Sequence, residues 1–450
     1  MINKISNSEQ TAIRSIHYLG SKLRMLESIK NAVDSVECGN GLICDLFSGS
    51  GTVSKYLLQY RDVIAVDIQT YSKVICEASM SSLKQPITSD TIINSIKKST
   101  ATATIKEVFF PLLTHEQECT NLAMQNDLKM LYEIIENGSL YIYMHDETPK
   151  VSQKLKNALS SACERMKKYS MSKSQDTMIT RYYGGLYFSF EQAVELDCIA
   201  HEVFQNDGLL KTKMLAALLS TASELVNTVG KQFAQPLKVR NAKGELKASL
   251  KNKILSDRSE NAIGAYKKWL DYYLSTGLYN HKCNSLCMNY TEALESLKGS
   301  GVKVVYADPP YTRYHYSRYY HVLETICLRD NPTVSTTFSN GAGGISRAIY
   351  RSERHQSPFC IKSQAEHAFE LLFQGVKNLD VPFVLSYSPF EPSKAVTPRL
   401  QTMDQLIEMA HRYYDHIDVV SPGTFTHSKL NSVDKNFEAN HEAERLIICR

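Results

Sequence analysis

The tetrapeptide Asp308-Pro309-Pro310-Tyr311 closes a mostly apolar run, Val302–Ala307, and combines groups that few reactions need together. An amino group on a planar ring is a poor nucleophile, because its lone pair is delocalised into the ring. A carboxylate and a backbone carbonyl can each accept one of its N–H bonds, which draws the lone pair out of conjugation and aims it. The tyrosine that follows offers a flat face on which the ring can stack. Proline fixes φ and has no N–H, so the loop is stiff and its carbonyl has no competing donor. Asp308, Pro309, Pro310 and Tyr311 are therefore the candidate catalytic group, with the Pro309 carbonyl as the second acceptor. Alone, the tetrapeptide is equally compatible with a proline-rich turn after a strand.

A second constellation lies far upstream. Ile43-Cys44-Asp45-Leu46-Phe47-Ser48-Gly49-Ser50-Gly51 has the pattern of a buried strand that breaks into a glycine turn, followed by a helix from Thr52 to Tyr60. Glycines at such a turn permit positive φ and close approach of the backbone to a ligand. A second short strand, Val63–Val66, ends in Asp67, and an acidic residue after the second strand of a doubly wound sheet is placed to bind ribose hydroxyls. The glycines do not form the dinucleotide pattern: the third glycine of G-x-G-x-x-G is missing, as is the lysine of a P-loop. With Asp45 before the turn and Asp67 after it, a cofactor site is the better reading of these residues.

Asp45-Leu46-Phe47-Ser48-Gly49-Ser50-Gly51 followed downstream by Asp308-Pro309-Pro310-Tyr311 resembles the S-adenosylmethionine-dependent N6-adenine DNA methyltransferases. His17-Tyr18-Leu19-Gly20-Ser21-Lys22 resembles the aromatic-x-Gly-Gly-Lys motif that opens the class containing the DNA adenine methylases, with Ser21 where the second glycine is usual. The order of the class is also present: N-terminal motif, cofactor motif, target-recognition insert, catalytic motif. The resemblance implies a Rossmann-like α/β methyltransferase sheet with an inserted, mainly helical target-recognition domain. It implies S-adenosylmethionine held by Tyr18, Gly20, Lys22, Asp45, Phe47, Gly49, Ser50, Gly51, Asp67 and Asp308. Asn289 stands where relatives often carry an acidic residue near the cofactor's adenine. By the same resemblance, a flipped adenine stacks on Tyr311 and presents N6 to Asp308 and the Pro309 carbonyl. The expected setting is restriction–modification or defence, with double-stranded DNA as substrate, a nuclease as possible partner, and no metal.

Length and composition fit this expectation. The 450 residues suggest two or three domains, and the net charge of +4 argues against an indiscriminate polycation. The eleven cysteines include no C-x-x-C pair, so they read as reduced thiols with no metal spacing. Met1–Gln10 is polar, and no run approaches the roughly 18 apolar residues of a membrane span, which points to a cytoplasmic protein.

The elements must bring these motifs together. Lys22–Val36 has helical periodicity, and a further helix is expected near Tyr71–Leu83. Residues 84–280 are rich in helical patterns and polar loops, whereas strands return at Ser285–Asn289, Val302–Ala307, Val381–Tyr387, Ile417–Val420 and Leu446–Cys449, the last paired antiparallel at an edge. This divides the chain into a discontinuous catalytic domain, 1–83 and 281–450, and an inserted domain, 84–280. The insert carries a basic stretch from Lys231 to Lys268, with Lys238 and Arg240, that suits phosphate contacts. Arg313, His315 and Arg318 alternate with aromatic residues just after Tyr311 and could hold backbone beside an extruded base. Arg313 and His315 are expected outward, and Tyr320, Leu323 and Ile326 inward. Tyr182, Tyr183 and Tyr187 are expected in a core, and Gly341–Gly344 in a mobile loop. Three alternatives stay open: an RNA adenine methyltransferase, a non-catalytic DNA-binding module that retains the fold, and a protein glutamine methyltransferase. Asp rather than Asn at position 308 weighs against the last.

Overall fold

The computed structural model describes residues 14–20, 22–145, 150–313, 315–339, 342–388, 400–421 and 444–450. Met1–Gln10, Ser21, Tyr314 and Gly341 lie outside the described residues. The chain forms two compact units: one of residues 1–83, 275–317 and 355–450, the other of residues 84–274 and 318–354.

In chain order the strands are β1 Leu42–Leu46, β2 Val63–Asp67, β3 Cys283–Cys287, β4 Val302–Ala307, β5 Thr336–Ser339, β6 Ala342–Ile345, β7 Phe383–Tyr387, β8 Ile417–Val420 and β9 Arg445–Cys449. Seven of them form the sheet of the first unit in the order β3-β2-β1-β4-β7-β9-β8. The first five strands in this order, four neighbouring pairs, are parallel, whereas β9 runs antiparallel to both β7 and β8. The apolar strands alternate between two buried faces, as sheets covered on both sides require. Ile43, Val63, Val304 and Ile448 pack with Leu26, Ile29, Val33 and Leu57 on one face. Cys44, Val66, Val305 and Ile447 pack with Leu294, Phe369, Leu372 and Leu406 on the other.

From β1 the chain winds outward through β2 to β3, then returns to the other side of β1 with β4 and β7. The reversal falls between β1 and β4, and in open α/β sheets ligands bind at the carboxyl ends of the strands at such a point. Asp45 and Asp308 follow from this, because β1 and β4 are paired with Asp45 beside Tyr306.

The last strand is antiparallel as expected, but it is interior rather than at the edge. Leu446 and Ile448 bury on one face and Ile447 and Cys449 on the other, which suits a strand covered on both sides. The edge is β8, where Val419 and Val420 are exposed.

The second unit is mainly helical. Among its helices are Thr100–Met124, Gln153–Lys168, Phe190–Phe204 and Gly208–Leu225. Phe190–Phe204 starts from a capping box in which Ser189 and Gln192 satisfy each other's backbone N–H. Tyr182, Tyr183 and Tyr187 are buried, and the Tyr187 hydroxyl donates to the Phe233 carbonyl at 2.8 Å. Residues 318–354, expected with the catalytic part, pack in this unit instead. The helix His321–Leu328 contacts Gly208–Leu225, His321 Nε2 donates to the Phe233 carbonyl at 3.1 Å, and Arg351 forms a two-pronged pair with Asp330 at 2.7 and 2.6 Å. Where a loop was expected around Gly343 and Gly344, β5 and β6 form an antiparallel ribbon, with Ser339 opposite Ala342. No described helix is long and apolar enough to cross a membrane.

Candidate active site

The glycine turn after β1 needs its glycines for two separate reasons. Gly49 and Gly51 both adopt positive φ, +52° and +73°, where a Cβ is penalised. A Cβ on Gly49 would also stand 2.7 Å from the Tyr18 ring, and one on Gly51 2.8 Å from Cys76 Sγ. The turn is held from β2, since Gly49 N donates to Asp67 Oδ2 at 2.9 Å, and Gln69 N donates to Asp67 Oδ1 at 2.9 Å. Asp45 is buried under the turn and accepts the Ser54 hydroxyl at 2.5 Å. Burial pushes the Asp45 carboxyl up to about 7, with the Ser54 bond opposing the shift.

Tyr18, Gly20, Lys22, Asp45, Phe47, Gly49, Ser50, Asp67, Asn289 and Asp308 all line one cleft at this end of the sheet. It encloses about 1110 Å3 of empty space, part of it open to solvent. Gly51 is the one predicted cofactor residue that does not line it; it caps the helix Thr52–Leu57 instead. The Phe47 ring packs edge-on against Phe359 at 5.5 Å and tilted by 36° against Tyr290 at 5.7 Å. Asn289 caps the helix Tyr290–Ser296, its side chain accepting from Thr291 N at 3.0 Å. Tyr316, His355 and Phe359 also line the cleft and escaped sequence reasoning. His355 and Phe359 follow a long segment whose course no local pattern announces, whereas Tyr316 stands five residues after Tyr311.

The Asp308 loop meets the cleft through a buried ion cluster. Lys22 Nζ lies 3.0 Å from Asp308 Oδ1 and 2.9 Å from Glu444 Oε1. The same Glu444 oxygen accepts the Tyr311 hydroxyl at 2.9 Å, and its Oε2 accepts the Ser386 hydroxyl at 3.2 Å. The Tyr311 ring leans on Tyr387 at 5.0 Å; Asp308 and Pro310 line the cleft, whereas Pro309 and the half-buried Tyr311 are not in its lining. Burial pushes the Asp308 carboxyl up to about 7; Lys22 opposes this and Glu444 reinforces it. Burial alone would lower the Lys22 ammonium, but the Asp308 and Glu444 carboxylates more than offset that and hold it well above the usual lysine value. Lys22, expected among the cofactor's residues, is therefore engaged by two carboxylates of the chain itself.

Glu444 was missed in the sequence, although a signal was present. It stands directly before the apolar run Arg445–Cys449. An antiparallel strand begins where its parallel neighbours end, so Glu444 enters beside the loop that follows β4.

The predicted nucleic-acid contacts divide. Arg313 is exposed and His315 half-buried in the first unit, and Arg318 is exposed in the second. Lys238 is exposed, but Lys231 pairs with Asp257 at 3.1 Å and Arg240 with Glu136 at 2.9 Å. Other cations of the same stretch are paired as well: Arg258 with Glu116 at 2.6 Å, Lys267 with Asp90 at 3.1 Å and Lys268 with Glu224 at 3.3 Å.

A doubly wound sheet with a glycine turn and an acidic loop facing one cleft at its switch point is a Rossmann-like methyltransferase fold. The chain belongs to the family of D12 class N6 adenine-specific DNA methyltransferases, whose family model matches residues 18–194 and 246–353. Among its relatives is the modification methylase LlaI of Lactococcus lactis subsp. lactis, 24% identical over 439 residues, covering 96% of this chain and 54% of the relative. The type II methyltransferase M.FokI of Planomicrobium okeanokoites is 24% identical over 366 residues, covering 80% of this chain and 42% of the relative. The type II methyltransferase M.NlaIII of Neisseria lactamica is 21% identical over 439 residues, covering 95% and 96% of the two chains. This chain thus spans about half the length of the first two relatives. No solved structure matches it.

Proposed function

We propose that this protein transfers a methyl group from S-adenosylmethionine to N6 of an adenine extruded from a specific double-stranded DNA site, as the modification activity of a restriction–modification or defence system. The observation that carries this reading is that Asp308 shares one cleft with Asp45, Gly49 and Asp67, residues it meets only through the pairing of β4 with β1.

The cleft fits an adenosyl ligand. Gly49 lies in the cleft wall and lets the Tyr18 ring pack against the turn where a Cβ would collide, Asp67 stands at the carboxyl end of β2 where ribose hydroxyls bind, and Phe47 and Asn289 offer a flat face and a polar group. When bound, S-adenosylmethionine supplies an electrophilic methyl on a sulfonium; the amine nitrogen takes the carbon and the C–S electron pair returns to sulfur. Asp308 and the Pro309 carbonyl accept the two N6 hydrogens, and Asp308 holds the proton that the methylated nitrogen sheds. Tyr311 supplies the face for the adenine ring. Positioning and fixed charge do most of this work, so the loop's stiffness matters more than the basicity of Asp308. Residues 84–274 and 318–354 serve as the target-recognition part, with Lys238 and Arg318 at phosphates; Arg313 and His315 of the catalytic unit serve as further phosphate contacts.

The test is incubation of the purified chain with methyl-labelled S-adenosylmethionine and duplex DNA, single-stranded DNA or RNA, followed by nucleoside analysis. Label in N6-methyladenine from duplex DNA is the expected result. Label from RNA alone would keep the chemistry and overturn the substrate, and bound donor without transfer would favour a non-catalytic module.

A further inference from the structure

The residue that holds the catalytic loop in place is one that no motif contains. Lys22, Tyr311 and Ser386 converge on Glu444, whose side chain is 3% exposed, and Asp308 joins them through Lys22. Among the described residues, the ion-pair partners of Lys22 are Asp308 and Glu444 alone. One ammonium therefore faces two carboxylates in a buried setting. A folding requirement does not explain that choice, since apolar side chains of similar volume often replace buried ions without loss. The cluster sits where the cleft meets the Asp308 loop, with Lys22 and Asp308 in the cleft wall, and the proposed donor brings a positive sulfonium to that cleft.

We infer that Glu444 is a positioning residue of the transfer site: it anchors the Lys22 ammonium and the Tyr311 hydroxyl, and through them fixes the orientation and charge of Asp308. The inference rests on the function proposed above. Its geometry comes from the antiparallel entry of β9, which pairs Tyr387 with Arg445 and so delivers Glu444 to the end of β7. Glu444 Oε1 accepts from both Lys22 and Tyr311, so the two ends of the Asp308–Tyr311 loop are tied to one atom. The remaining oxygen is held by Ser386 on β7, which makes the anchor part of the sheet rather than of a loop. Groups on rigid elements hold a reacting side chain more tightly than loops do. The titratable groups around Asp308 are Lys22 and Glu444 in its cluster, Asp45 on β1, Tyr306 on β4, Tyr311 on its own loop and Tyr316 beside the cleft.

The test uses the full chain labelled with carbon-13 at aspartate carboxyl groups, the Asp308 signal being assigned by its loss in D308N. In E444Q one negative neighbour is gone and the ammonium is left to Asp308, so the Asp308 titration should move to lower pH by about one unit or more. Turnover on duplex DNA should fall about tenfold or more in the same variant. Y311F is the second variant: it keeps every charge and removes only the hydroxyl donated to Glu444. Its Asp308 titration should stay near that of the parent while kcat falls, and the double variant should lose less than the product of the single losses, because both act through one contact. An unshifted titration in E444Q, or kcat within about twofold of the parent in either variant, overturns the inference. A chain that transfers no methyl group but shifts its Asp308 titration in E444Q refutes the proposed function and leaves the role of Glu444 toward Asp308 standing.

Discussion

Replacement of Lys22 by methionine removes one charge and little volume from the centre of the buried cluster. The Lys22 and Glu444 side chains are 6% and 3% exposed and Asp308 is 22% exposed, so solvent screens these charges poorly. Loss of one partner from a buried pair costs about 3–5 kcal/mol. Here the loss leaves Asp308 and Glu444 with no cation between them, and the cost is capped wherever one of them takes up a proton. The sign follows from linkage. Burial already raises folded Asp308 to about 7, above the roughly 3.9 of an unfolded aspartate. Between those values the folded state binds the extra proton, so stability falls as pH rises through the window. Lys22 opposes that shift, and its removal pushes the folded value higher and extends the loss to higher pH. K22M is therefore expected to lose about 3 kcal/mol at about pH 8 and about 1.6 kcal/mol at about pH 5.5, because retained protonation of Asp308 is worth at most about 1.4 kcal/mol between those values. Urea denaturation read by hydrogen exchange of peptides from β4 and β9 follows the unit that carries the cluster. An equal loss at both pH values, or a loss under about 1 kcal/mol at the higher one, would refute the electrostatic account.

Three further outcomes are expected. D308A should abolish methyl transfer while calorimetric affinity for S-adenosylmethionine stays within about threefold, and retained turnover would remove Asp308 from the mechanism. G49A should weaken donor binding by about tenfold or more, because positive φ and the 2.7 Å approach to Tyr18 both resist a Cβ; unchanged affinity would mean that the turn does not face the donor. R313A should lower the salt-dependence slope of duplex DNA binding by about one, whereas K231M, whose ammonium already pairs with Asp257, should change it by much less than one. Equal slopes in the two variants would show that the Lys231–Asp257 pair opens on DNA.

Much of the chemistry was legible in the chain because its groups are local. Asp308 to Tyr311 form one stiff loop, and Gly49 and Gly51 form one turn whose positive φ values only glycine adopts without strain. Strands β1, β2, β4, β7 and β9 were legible because each is short, mostly apolar and largely buried. The affiliation of residues 318–354 was not legible. The helix His321–Leu328 has an apolar face like any other, and only its packing decides which unit receives it.

Charge shows the same division. From Lys231 to Lys268 the sequence displays ten cations against three acids, yet Glu116, Glu136, Glu224 and Asp90, all outside that stretch, pair with four of the cations. A linear count cannot see acids that folding brings in. The residue types and local turns that could aim an amino group and cradle a nucleoside were thus determined by the sequence alone, since they depend on neighbours along the chain. Which ammonium faces Asp308, and that Glu444 shares it, was decided by tertiary structure. Long-range strand order and an antiparallel last strand set those distances, and no periodicity encodes them.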